Sequence, residues 1–167
     1  MGVDLDFPKQ IGVNSQTARA LLNKDWPQYD IQEKTLTFAG ATPNAVGDYD
    51  GTGNPATLFT VTGSVELSII AICTTTLTID GGATVEVGTA LSTAGLIAQT
   101  AGDAPDINEI WHDASPDASV ELTSVITRKI VSQDVILTVA TANVLTGVIK
   151  FMVKWAPISS DGNVVAA

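Results

Sequence analysis

From Ile31 onward, hydrophobic and polar positions alternate with a period of two, the pattern of strands with one face buried. In "TLTF", Leu36 and Phe38 oppose Thr35 and Thr37; in "LFTVTG", Phe59 and Val61 oppose Thr60 and Thr62. Gly63-Ser64 predicts a two-residue hairpin turn of type II′, with glycine first. The return strand "SVELSIIAIC" sets Val65, Leu67 and Ile69 on one face, while Ile70 and Ile72 make the other face apolar near its end. That end is therefore predicted to be covered on both sides, inside a sandwich or at a subunit contact. "TLTIDGGATVEVG" repeats the pattern, with Leu77 and Ile79, a turn at Asp80-Gly81-Gly82, then Val85 and Val87 flanking Glu86. After a looser region, "SVELTSVITRKIV" and "DVILTVAT" read as strands. "VIKFMVKW" points Ile149, Phe151, Val153 and Trp155 inward and Lys150 and Lys154 outward. Several short strands with Gly-rich turns and almost no helix predict an all-β protein, an antiparallel β-sandwich of jelly-roll-like or related form. Strand order is not legible from alternation, and no repeat of solenoid or propeller length is present.

The two ends differ from this pattern. Residues 1–30 are polar, contain Pro8 and Pro27, and hold one stretch, "NSQTARALLNKD", that suits a short helix capped by Asn14 or Ser15. An isolated helix of that length is marginal in water, so the segment reads as an N-terminal arm that depends on packing against something else. Residues 31–158 form the β-sandwich domain. After Pro157 the chain reads as a C-terminal tail, 159–167, ending in small uncharged residues.

At 167 residues, 45% of them hydrophobic, the chain is long enough to bury a core. Aromatic residues are only 5%, so packing must rely on Val, Ile, Leu and Thr, which favours strands. The single cysteine, Cys73, lies in a hydrophobic run and reads as a small buried apolar residue. The formal net charge is −10, and no Lys or Arg occurs between Thr35 and Thr127. So negative a centre repels phosphate backbones, which argues against a nucleic-acid partner. The start "MGVDLDFPKQ" is acidic where a signal peptide is basic, and the longest apolar run, "IIAIC", is far too short to span a bilayer. The expectation is a soluble protein made in a cytoplasm, without a membrane partner.

Candidate chemistry is sparse. Asp48, Asp50, Thr52 and Gly53 match the first half of a calcium loop, but Phe59 stands where a bidentate Glu belongs. The same residue types are ordinary turn formers, so the loop reads first as a connector. "EIWHDASPD" holds the only histidine, His112, beside Asp113 and near Ser115. Neighbours on an extended chain point apart and no G-x-S-x-G elbow is present, so a hydrolase triad is not predicted. One histidine also leaves a zinc site short of nitrogen and sulfur ligands. Trp111 reads as the anchor of that loop, and no carboxylate pair stands out for glycoside hydrolysis. The residues predict a protein that is not an enzyme and needs no cofactor.

Taken together, "DYDGTGNPATLFTVTG", "ATVEVGTA", "LIAQT", "EIWHDASPD" and "SSDGNVVAA" resemble a family of small structural proteins of tailed bacteriophages. The resemblance spans Val46 to the C-terminus and rests on several runs rather than a diagnostic motif. It implies a virion component, a head decoration or cement protein on the outside of the shell, with the major capsid protein as partner and a homotrimer as the favoured oligomer. On that reading Ile70 and Ile72 are candidates for the oligomer interface. Lys9, Arg19, Lys24 and Lys34 are candidates for contact with the capsid. The alternative is a receptor- or carbohydrate-binding module of a tail or fibre, which would draw on Trp26, Trp111, Trp155, Tyr29 and Tyr49 as stacking platforms.

Overall fold

The computed structural model of the chain describes residues 29–167, so the expected helix and Lys9, Arg19, Lys24 and Trp26 lie outside the described residues. The rest is all-β, as the period-two pattern predicts. Ten strands form two antiparallel sheets: β1 (Asp30–Phe38), β2 (Ala56–Thr62), β3 (Val65–Ile79), β4 (Thr84–Thr89), β5 (Ser92–Ala101), β6 (Ile110–Trp111), β7 (Lys129–Val131), β8 (Val135–Ala140), β9 (Val144–Pro157) and β10 (Asn163–Ala166). The first sheet has the order β1-β9-β3-β6, with β7 also paired to β3; the second has the order β10-β2-β8-β4-β5. With β6 and β7 taken as one interrupted strand, the first nine strands wind as a double-sheet jelly roll, and β10 adds an edge to the second sheet. Among the described residues, no helix is long and apolar enough to cross a membrane.

The long pairing of β3 with β9 is the spine, running in unbroken register from Val65↔Pro157 to Cys73↔Ile149. Beyond Cys73 the register shifts and β3 bends. Gly147 lies opposite that bend with φ +124, and a Cβ there would come within 2.3 Å of Leu77 Cδ2. Only glycine fits both the backbone and the space. Inward residues of the first sheet, Leu67, Ile69, Ile149, Phe151, Val153 and Trp155, meet Val85, Val87, Ile97, Leu137 and Val139 of the second in one core. Each such side chain contributes roughly 1.5–3 kcal/mol of burial. Trp111 is fully buried and meets Phe151 edge-on, centroids 6.4 Å apart, so it anchors its loop as expected.

Several local expectations need correction. Gly63 has the positive φ of 63 that the turn signal implied, but Gly63-Ser64 is a corner between sheets, not a hairpin. The Asp80-Gly81-Gly82 turn is likewise a corner, from β3 to β4. A turn signal reports that the chain reverses, not whether the next strand stays in the same sheet. Phe59 does not alternate with Leu58: a register irregularity in β2 lets both be fully buried. The looser region contains β5, whose bulged pairing with β4 breaks strict alternation. Conversely, most of "SVELTSVITRKIV" is loop. Only Lys129–Val131 pairs, and Val120 (81% exposed) and Leu122 (67%) alternate without a ladder.

The C-terminal tail is also a strand. Ile158 and Ser159 amides donate to the Ser64 carbonyl, and Ser64 N donates to Ser159 Oγ, so the chain turns over the Gly63 corner. β10 then pairs with β2, and Val164 is fully buried. Truncation after Gly162 should therefore lower stability by more than about 2 kcal/mol, read as a lower urea midpoint. An unchanged midpoint would contradict a structural role for β10.

Candidate functional site

The outward face of the first sheet is apolar along its centre. On β3, Ser68, Ile70 and Ile72 point away from the core, and Ile70 and Ile72 are half-buried there. Register sets Ile70 beside Met152 and Ile72 between Lys150 and Ile110. Ile31 of β1 is 64% exposed on the same face. With Ile126 from the β6–β7 loop, Ile31, Ile70 and Met152 line an open depression of about 210 Å³. A second depression, of about 270 Å³, adjoins it, lined by Tyr29, Thr123, Arg128 and Lys154 among others. β7 adds Ile130, opposite Glu66, to this face, and the β6–β7 loop exposes Val120, Leu122 and Val125 as well.

Positive charge borders that face, but each cation has a partner within the chain. Lys154 Nζ lies 4.7 Å from the Tyr29 ring centroid. Arg128 pairs with Glu66 at 2.9 Å and donates to Tyr29 Oη. Lys150 pairs with Glu33 at 2.6 Å, and Lys129 donates to the Gly95 carbonyl. Lys34, expected among the capsid contacts, donates to the carbonyl of Ala167. Its β1 position places it on the inward-pointing row with Leu36 and Phe38, at the side of the sandwich where β10 ends. Among the described residues, every Lys and Arg is thus engaged within the chain, and the remaining surface charge is acidic.

A second cluster lies at the base of the β6–β7 loop. The edge of β3 pairs with β7 at Val65–Leu67 and with β6 at Ala71–Ile72, so Ser68–Ile70 lie between the two short ladders. The His112 side chain, only 5% exposed, lines a small recess here together with Leu67, Ile69, Leu96 and Ile126. Ile110 and Asp117 exchange two backbone hydrogen bonds, at 3.0 and 2.8 Å, which closes the intervening turn. His112 Nε2 then sits 2.7 Å from Glu121 Oε2 and 3.7 Å from Asp117 Oδ2. The hydrogen bond between the two carboxyl groups holds Asp117 above the ordinary aspartate range. Glu121, hydrogen-bonded to His112 and Asp117, is held below its own. Ser115 does not join the histidine: its amide is held by Asp113 Oδ1 at 2.8 Å in a local turn.

In the acidic loop, Asp48 is buried and its Oδ2 accepts the Asn44 amide at 2.7 Å. Asp50 and Thr52 are exposed, and the Thr52 amide donates to Asn44 Oδ1. Asn54 ties the loop to β8 through both its amide nitrogen and its amide oxygen, each bonded to Val139 backbone. Cys73 is buried, its Sγ near the Thr75 and Pro105 carbonyls, and burial pushes its thiol up. Trp111 and Trp155 belong to the core, so neither offers an exposed stacking platform.

Sequence reasoning picked out Ile70 and Ile72 by their doubly apolar strand but missed the loop surface and the Asp117–Glu121 pairing with His112. His112 and Asp117 are five residues apart, a step that fits neither strand nor helix, and the closed turn at Ile110–Asp117 brings them together, with Glu121 following four residues on. No protein-family model, no curated protein and no solved structure matches the chain.

Asp48→Ala should cost about 1–2 kcal/mol by freeing the Asn44 amide, equally with calcium or EDTA present. A calcium-induced rise in melting temperature that the substitution abolishes would instead make the loop a cation site.

Proposed function

We propose that this chain is a non-enzymatic structural protein of a virion. It decorates the outside of a tailed-bacteriophage head and cements the shell, with the major capsid protein as its partner. The observation that carries this reading is the apolar outward face of the first sheet, where Ile31, Ile70, Met152 and the loop residue Ile126 line one depression. A surface of that extent is costly to leave in water and is suited to burial against protein.

Other features agree. The jelly-roll architecture is one that viral shell proteins share with lectins, a likeness of architecture only. The sequence runs that resemble phage structural proteins fall on the β1–β2 and β6–β7 connections, on strands β2, β4 and β5, and on the C-terminal segment. A net charge of −10, with no Lys or Arg between Thr35 and Thr127, disfavours a nucleic-acid partner. A closed trimer would bury Ile70 and Ile72 between copies, and its three capsid contacts would reinforce one another through effective concentration. The N-terminal arm would reach the capsid with Lys9, Arg19 and Lys24. A carbohydrate-binding module has less support, because Trp111 and Trp155 are core residues.

The test is co-sedimentation of the purified chain with mature shells that lack it, alongside its mass by light scattering. The wild type should be trimeric and bind. Ile70→Glu with Met152→Glu should keep the fold, fall to monomer and bind at least tenfold more weakly. Removing residues 1–28 should abolish binding and leave the sandwich folded. A double variant that stays trimeric and binds as the wild type does would overturn the role of this face.

A further inference from the structure

We propose that His112 Nε2, Asp117 Oδ2 and Glu121 Oε2 form a binding site for one divalent transition-metal ion of the zinc or manganese type. The three side chains each offer a ligand atom, and these atoms lie within 4.8 Å of one another. Bonds of 2.0–2.2 Å to nitrogen and oxygen in a tetrahedral site require ligand atoms about 3.3 Å apart. The observed separations from Nε2, 2.7 Å to Glu121 and 3.7 Å to Asp117, bracket that value. A small rotation of each carboxylate, without movement of the backbone, would seat the ion.

The site is built on fixed parts. The imidazole is only 5% exposed, lines a recess with Leu67, Ile69 and Ile126, and turns its Nε2 edge to the carboxylates. Asp117 is held by its two backbone bonds to Ile110. Glu121 uses its other oxygen, Oε1, to accept the Leu122 amide at 2.7 Å, which leaves Oε2 for the shared position. Glu121 is therefore oriented before any ion arrives. Asp117 has half its side chain exposed, which marks the solvent side where water would complete the coordination.

The donor set selects the metal. The single histidine left a zinc site short of nitrogen and sulfur, and Asp117 and Glu121 make up the ligand number with oxygen, which zinc and manganese accept; calcium takes oxygen ligands, six to eight of them. The three ligands span the first ten residues of the β6–β7 loop, whose exposed apolar side chains follow at Val120, Leu122 and Val125. A bound ion would pin that loop to the edge of β3 and hold its apolar surface in one conformation. It would do so whether or not the chain sits on a capsid.

The test uses the untagged full chain, stripped with EDTA and dialysed, then offered zinc, manganese or calcium chloride separately. After gel filtration, elemental analysis should find one zinc per chain. Saturating zinc or manganese should raise the melting temperature by about 5 °C or more, and calcium should not. The near-isosteric Glu121→Gln and Asp117→Asn should fold, by circular dichroism, and lose both the retained ion and the shift. Absence of retained zinc and of any shift in the wild type would overturn the site. So would equal retention by the doubly substituted chain, or a calcium shift as large as that of zinc.

Discussion

The pairing of β3 with β9 is the interaction on which the rest of the molecule depends. It joins segments separated by the whole middle of the chain, so its closure costs more entropy than any local hairpin. Its inward row supplies Leu67, Ile69, Phe151 and Val153 to the core. Its outward row places Ile70 beside Met152 on the opposite face. Because successive residues on a strand face opposite ways, one ladder serves both tasks. The same residues cannot slip by one position without moving a core side chain into water.

Everything functional is placed by what attaches to the two sides of this ladder. β1 docks on β9 and brings Ile31 and Glu33 to the outward face. β6 and β7 divide the free edge of β3 between them, and His112 directly follows β6 at the interruption. The loop between β6 and β7 leaves from this interruption, and its apolar residues lie next to the Ile70–Met152 surface through Ile126. The acidic loop after β1 is different in kind. Its buried carboxylate and its asparagines satisfy the loop's own backbone and tie it to β8.

Much of the fold was legible because alternation is a direct imprint of a two-faced strand. Leu36 and Phe38, Val65 to Ile69, and Ile149 to Trp155 all point as their spacing predicts. What was not legible is what alternation does not encode. Gly63 and Gly81 signal reversals, yet both reversals change sheet, because sheet membership is decided by distant partners such as β9 and β8. β5 was hidden by bulges, and Val164 by a short segment that resembles a loose end until β2 offers it an edge. Ile70 and Ile72 stood out because a second apolar face is unusual on a strand. His112 with Asp117 and Glu121 did not, since only the backbone closure at Ile110–Asp117 makes neighbours of residues at such spacing.

The central claim is that the outward face of the first sheet exists to be covered across a lattice. It is tested most directly by the number of copies of this chain in purified particles of a phage whose genome carries its sequence, should the proposed role hold. Quantitative mass spectrometry against the major capsid protein supplies that number. A ratio near one copy per capsid subunit is the predicted result. A few copies per particle, or none, would contradict a lattice-wide decoration role.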